Sequence, residues 1–124
     1  MKKNIYSIYL FIISVFIIIL AGCGGGGTSN AIGGYSVLST GSLVLSWEAP
    51  TLNIDGSSLT DLSGYKVYYG QVSGNYTESV DIGNLASANI SNLTAGTWCF
   101  VTTAYDVSGN ESAYSNEICT EIVI

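Results

Sequence analysis

The residues that could do chemistry in this 124-residue chain are nine carboxylates, three cysteines, and its serines and tyrosines. The chain has no histidine, which removes the usual general base and the commonest metal ligand. A serine nucleophile needs a base beside it, and Lys66, which could serve only if desolvated, is expected to point outward. The sequence therefore predicts a protein that is not an enzyme and that needs no cofactor.

Four of the carboxylates fall at two predicted loops, where they could act as acid and base or bind calcium through oxygen. Asp55 and Asp61 lie in one loop, and Asp106 and Glu111 flank another. Neither loop has the D-x-D-x-D-G spacing that wraps one ion. We interpret these residues as solvated turn carboxylates, and the sequence predicts no metal site.

Cys23 stands between an apolar segment and four glycines. Met1-Lys2-Lys3 is a basic start and residues 5–21 form an uncharged apolar run, which is the layout of a secretory signal. An uncleaved anchor is the alternative, because the run approaches the ~20 residues that span a bilayer. Both interpretations place the rest of the chain outside the cytoplasm.

The residues Leu20-Ala21-Gly22-Cys23 resemble the lipobox of bacterial lipoproteins. The resemblance implies that the Cys23 thiol receives a diacylglycerol and that residues 1–22 are removed as a signal peptide. Two or three acyl chains on one residue give durable anchoring. We therefore expect a bacterial envelope protein held at the membrane by lipid on Cys23, with a plain signal peptide as the alternative. Glycine rather than aspartate at position 24 favours the outer membrane if the cell has two.

Removal of residues 1–22 would leave Lys66 as the only base against nine acids, a net charge of −8. Binding to nucleic acid needs clustered lysine and arginine, so this charge argues against a nucleic-acid partner. It also argues against a domain that lies flat on anionic lipid.

Residues 23–34 hold the lipidated cysteine and a glycine-rich tether, a composition typical of linkers. Apolar and polar side chains then alternate within short runs at 43–47, 65–69, 99–104 and 118–122. A period of two predicts strands with one buried face. About ninety residues in six or seven such strands predict a small antiparallel β-sandwich over residues 35–124.

Five motifs in this region resemble a bacterial fibronectin type III domain. They are LVLSWEAP at 43–50, GYKVYY at 64–69, LTAGTW at 93–98, AYDVSGNES at 104–112 and YSNEI at 114–118. The resemblance implies an all-β, immunoglobulin-like sandwich of about seven strands that serves as a structural, binding, adhesion or accessory module. The loop at 106–112 has no Arg-Gly-Asp, so integrin-type adhesion is not implied.

The resemblance and the alternation together place eight side chains in the core of the sandwich. Trp98 stands where the family often has a corner tyrosine, and an indole donates one hydrogen bond but accepts none. The expected core residues are Trp47, Tyr65, Val67, Tyr69, Leu93, Trp98, Phe100 and Ile118.

Two strands that adjoin in this fold carry a possible binding face on their outward positions. It consists of Tyr68 and Tyr105, with Val101 and Thr103 between them. Exposed tyrosines beside apolar side chains can stack on sugars or anchor a protein partner. The alternative is ordinary cross-strand pairing on a half-exposed face.

Lipidation of Cys23 would leave two cysteines, Cys99 and Cys119. Two thiols in an oxidising compartment can pair as a disulfide. A hairpin symmetric about Gly109 places Cys99 opposite Cys119 and Tyr105 opposite Ala113. This register also suits the buried face and predicts a disulfide. The alternative is two small residues that only pack.

We therefore expect a non-catalytic, membrane-anchored envelope lipoprotein that carries a fibronectin type III structural, binding or adhesion module. Its ligand would be an unknown protein or glycan. The alternative is an accessory carbohydrate- or polysaccharide-binding module that assists an envelope or secreted enzyme and presents Tyr68 and Tyr105 to glycan.

Overall fold

The computed structural model describes residues 10–11 and 40–124. The expected lipidation site at Cys23 and the tether lie outside these residues. Within them the regular structure consists of strands, which run in the order β1 (Leu10–Phe11), β2 (Gly41–Trp47), β3 (Leu62–Gly70), β4 (Glu78–Gly83), β5 (Ser87–Leu93), β6 (Gly96–Asp106) and β7 (Ile118–Ile122). The described ranges include no helix with the length and apolar character needed to cross a membrane.

The strands form two antiparallel sheets, one in the order β1-β2-β5 and the other in the order β4-β3-β6-β7. The predicted all-β antiparallel sandwich is confirmed. β1 has only two residues and pairs with the end of β2, Leu10 with Trp47 and Phe11 with Ser46. These two residues belong to the segment expected to be a signal peptide, so their pairing describes the full-length chain.

The core lies between the sheets and follows the alternation that the sequence predicts. On β2, Leu43, Leu45 and Trp47 are buried while the residues between them are not. The Trp47 ring meets Tyr65 of β3 edge to face, with 5.3 Å between ring centroids, a favoured aromatic geometry. Burial of these large side chains is the main favourable contribution to folding.

The other expected core residues complete this cluster or line its border. Val67, Leu93 and Phe100 are fully buried within it. Three are only partly buried and pack against it: Tyr69, Trp98 and Ile118.

Trp98 makes a hydrogen bond to the backbone upstream, although the departure from the family's corner tyrosine argues against one. Its Nε1 donates to the carbonyl oxygen of Thr94, four residues upstream, at 2.9 Å. A bond to a backbone acceptor requires only a donor, so the indole replaces a tyrosine hydroxyl here.

The β6–β7 hairpin pairs Cys99 with Cys119, and a disulfide joins them. The predicted register is therefore right at the cysteines, but it is wrong at the turn. Tyr105 lies opposite Glu111, not Ala113. The cause is a tighter turn, in which the Asp106 carboxylate accepts from the backbone N–H of Ser108 and of Asn110, each at 2.9 Å.

Residues 111–117 connect the turn to β7, and we call them the serine-bridged segment. The pairing with β6 shifts along this segment, from Tyr105 opposite Glu111 to Cys99 opposite Cys119. Ser112 Oγ accepts from the backbone N–H of Ala104, and Ser115 Oγ accepts from that of Thr102, both at 2.9 Å. The backbone N–H groups of the same serines donate to β6 carbonyls. The segment is therefore fixed beside β6 although it is not a strand.

Candidate binding surface

Three tyrosines from three separate segments meet on the outer face of the four-stranded sheet. We call Tyr68, Tyr76 and Tyr114 the outer tyrosine cluster. The Tyr114 ring lies between the other two, 5.4 Å from Tyr68 and 5.5 Å from Tyr76 between centroids. Tyr114 is 53% exposed, so the cluster presents an aromatic surface to solvent.

Each tyrosine reaches the cluster for a local reason. Tyr68 points outward because its β3 neighbour Val67 points into the core. Gly70 ends β3 and allows the following loop to approach, since a Cβ there would lie 2.4 Å from the carbonyl oxygen of Asn75. The loop then delivers Tyr76, and the serine-bridged segment delivers Tyr114.

Glu111 holds one side of the cluster. Its Oε1 accepts from Tyr68 Oη at 2.5 Å and from Thr103 Oγ1 at 2.6 Å, and its Oε2 lies 3.5 Å from Lys66 Nζ. Burial by itself would raise the pKa of Glu111, but the hydrogen bonds from Thr103 and Tyr68 and the charge of Lys66 outweigh it and lower that pKa. The carboxylate is therefore charged at neutral pH.

Glu117 holds the other side. It accepts from Ser73 Oγ at 2.5 Å, from the Gly74 backbone N–H at 3.0 Å and from the Tyr76 hydroxyl. The bonds from Ser73, Tyr76 and Gly74 lower the pKa of Glu117. This residue therefore fastens the β3–β4 loop to the chain just before β7.

The tyrosine hydroxyls stay protonated in these contacts. Burial and the bond to Glu111 raise the pKa of Tyr68 to about 12, and burial and the bond to Glu117 raise the pKa of Tyr76 to about 12. Each phenol is thus a fixed donor to a fixed carboxylate, which is the stronger kind of hydrogen bond.

A shallow depression of about 530 Å³ opens beside Tyr114. Its volume lies in the range of small-molecule sites. The lining combines two aromatic rings, one carboxylate, two hydroxyls and a methyl group: Tyr68, Tyr114, Glu111, Thr103, Ser112 and Ala113.

The face predicted from the sequence is only partly the surface that the structure presents. Tyr68 belongs to the cluster. Val101 is 1% exposed and forms no part of the outer surface, which corrects the expectation. Thr103 is also 1% exposed and contributes only its hydroxyl, which lines the depression and donates to Glu111. Glu111, at the start of the serine-bridged segment, accepts from the Thr103 hydroxyl, so this segment contributes to the burial of Thr103.

Tyr105 lies apart from the cluster. Its partner on β3 is Gly64, four positions before Tyr68. Its Oη donates to Asp81 at 2.9 Å, and Lys66 Nζ lies 5.6 Å from the centroid of its ring. Tyr68 and Tyr105 therefore belong to two neighbouring sites on one face.

The sequence does not point to Tyr76, Tyr114 and Glu117 as site residues. Glu111 is an exposed carboxylate at the end of the turn, as predicted, but its hydrogen bonds from Tyr68 and Thr103 go beyond that prediction. The available signal is the spacing of Glu111, Tyr114 and Glu117, which lie three residues apart in a segment that the symmetric hairpin assigns to turn and strand. No periodicity rule applies to such a segment, because its path depends on the serine side chains.

Two of the other candidate carboxylates accept hydrogen bonds from groups in their own turns. Asp55 accepts from the backbone N–H and the hydroxyl of Ser57. Asp106 accepts from the backbone N–H groups of Ser108 and Asn110. One trio of metal-ligand side chains in the described part of the chain has its ligand atoms within 4.8 Å of one another, namely Cys99, Glu117 and Cys119. Its two sulfurs are joined as a disulfide, so they are not metal ligands.

The comparison with solved structures supports the fold. No protein-family model and no curated protein matches the chain. Among solved structures it is similar to the solution structure of a fibronectin type III domain derived from the human KIAA0970 protein, with 23% sequence identity and a TM-score of 0.53. The match covers 64% of this chain and 62% of that one, so it spans less than two thirds of the solved chain. The similarity establishes a fibronectin type III-like sandwich fold.

Proposed function

We propose that this protein is a non-catalytic binding module held at a bacterial cell envelope by lipid on Cys23. The anchor is supported by the lipobox-like residues 20–23, which follow a basic and then an apolar start. The binding role is supported above all by one observation, the exposed Tyr114 ring that stands beside Tyr68 and Glu111 over a depression.

The surface is ordered before any ligand arrives. Tyr68 and Tyr76 are held by carboxylates, and the segment that carries Tyr114 is bonded to β6 through Ser112 and Ser115. A surface that is already rigid loses less conformational entropy on binding. Tyrosine also combines a large apolar ring with a polar end, which makes it common at binding surfaces.

A second candidate function is that of an accessory module that binds carbohydrate for an envelope or secreted enzyme. The depression favours it, because a sugar ring could stack on Tyr114 while its hydroxyls donate to Glu111. The protein would then hold a glycan near the membrane and leave its chemistry to another protein.

Binding to an array of immobilised envelope glycans and proteins tests the proposal, with processed protein purified from membranes in a non-ionic detergent. Tyr114→Ala should reduce binding about tenfold or more, since stacking surface at the centre of a site carries much of its free energy. Tyr105→Ala is the matched control, because it removes a tyrosine from the same face outside the cluster. Equal loss in the two variants, or equal retention, would contradict the proposed surface.

A further inference from the structure

The outer face already contains one ammonium group held between a tyrosine ring and a carboxylate. Lys66 Nζ lies 5.6 Å from the centroid of the Tyr105 ring and 3.5 Å from Glu111 Oε2. A cation over an aromatic face is attracted by the ring quadrupole. Lys66 is the only base after Lys3, whereas all nine acids lie in the sandwich, so the surroundings favour cations.

The neighbouring depression also combines aromatic rings with a carboxylate, and it is large enough for a ligand. Two rings, Tyr68 and Tyr114, stand 5.4 Å apart beside the Glu111 carboxylate. Tyr68 donates its proton toward Glu111, which makes its ring richer in electrons and a better partner for a cation.

Glu111 keeps capacity for another donor. Its Oε1 is shared by Tyr68 and Thr103, whereas Oε2 is approached by Lys66 at 3.5 Å, longer than the usual 2.7–3.2 Å of a good N–H···O bond. A ligand ammonium would take the place of Lys66 Nζ at Oε2 and would leave the hydrogen bonds from Tyr68 and Thr103 to Oε1 in place.

We propose that the depression binds an amino sugar, with the ammonium at Glu111 Oε2 and one face of the sugar ring on Tyr114. The inference rests on the glycan-binding function proposed above and names its ligand class. A volume of about 530 Å³ accommodates a whole sugar ring, which is wider than a lysine side chain. Uronic acids and phosphorylated sugars would meet repulsion from Glu111.

Two oligosaccharides with the same backbone test this inference, the tetramer of glucosamine and the tetramer of N-acetylglucosamine. Calorimetry on the processed protein in non-ionic detergent measures the affinity for each tetramer. The salt concentration is about 0.15 M, which screens unspecific electrostatic attraction. The glucosamine tetramer should bind about tenfold more tightly, because only it adds a cation to the rings and the carboxylate. Glu111→Gln should remove the preference, whereas Glu48→Gln, which deletes the same charge at an exposed position just after β2, should keep it.

The outcomes separate this inference from the function on which it rests. Equal binding of the two tetramers, lost in Tyr114→Ala, would overturn the amino-sugar preference and leave glycan binding intact. Binding of neither tetramer would overturn the amino-sugar inference, and loss of all glycan binding on the array as well would overturn the glycan-binding function. Tetralysine bound as tightly as the glucosamine tetramer, with the same loss in Glu111→Gln, would show that the site recognises charge on a protein and would overturn the sugar assignment.

Discussion

Glu111 and Glu117 organise the outer face of the larger sheet by joining parts of the chain that are far apart in sequence. Glu111 bonds Tyr68 across 43 residues, and Glu117 bonds Tyr76 across 41. Both carboxyls have a lowered pKa because their contacts favour the charged form. The arrangement of the outer tyrosine cluster should therefore depend on pH.

The sign of that dependence follows from the folded pKa of Glu117, which lies below its ordinary value of 4.5. A carboxyl with a depressed folded pKa stabilises the protein above its unfolded pKa, and the contribution is lost as the pH falls through the folded value. Melting temperature measured from about pH 7 to about pH 3 should fall less steeply in Glu117→Gln than in wild type. The charge-matched control Glu48→Gln should follow wild type, and a Glu117→Gln profile that also follows wild type would contradict the role of this residue.

Trp47 is the residue whose loss should cost most. It is 4% exposed and packs on Tyr65 at the centre of the core. Trp47→Ala should lower the free energy of unfolding by about 3–5 kcal/mol, a large part of the roughly 5–15 kcal/mol of a typical domain. Urea titration measures the change. Val44→Ala on the same strand, where the side chain is 38% exposed, should change it much less, and similar losses in the two variants would contradict the strand register.

The sequence identified core residues better than surface residues for a physical reason. A period of two decides which face of a strand is buried, so Trp47, Tyr65 and Phe100 could be placed without a structure. Whether an outward side chain is exposed depends on what packs over it. Thr103 is buried beside Glu111, which belongs to a segment whose path is not encoded in any period.

The β6–β7 hairpin shows the same contrast at the scale of elements. Its cysteine register could be predicted from a hairpin symmetric about Gly109, together with the expectation that Cys23 is lipidated and leaves one pair of thiols. Its turn could not, because Asp106 satisfies the backbone N–H groups of Ser108 and Asn110 and draws the turn tighter than a symmetric loop.

The disulfide should contribute substantially to the stability of this hairpin. It joins residues 20 apart in sequence, for which the chain-entropy model gives about 3 kcal/mol. Replacement of both cysteines, Cys99→Ala with Cys119→Ala, should lower the free energy of unfolding by about that amount in the same titration. Non-reducing peptide mapping of the exported protein should recover the two cysteine peptides joined, and alkylation of both thiols without reductant would contradict the bridge.

For the whole molecule, the net negative charge and the expected lipidation at Cys23 together determine how the domain would attach to a membrane. A domain with one lysine and nine acids is repelled by anionic lipid headgroups, so attachment would depend on the acyl chains. Cleavage before Cys23 would also remove Leu10 and Phe11, and β2 would keep its pairing with β5. The sandwich itself could be predicted from motifs spread along the chain, whereas the anchor remains a prediction that rests on residues 1–23.

The most direct test of the account is the intact mass of the protein purified from the membrane fraction of cells that express the full chain. We expect a polypeptide that begins at Cys23 and carries the added mass of two or three acyl chains, and we expect Cys23→Ser to remain unprocessed. A wild-type protein found in the soluble fraction, with an unmodified amino terminus, would contradict the proposal that this domain is held at a membrane by lipid.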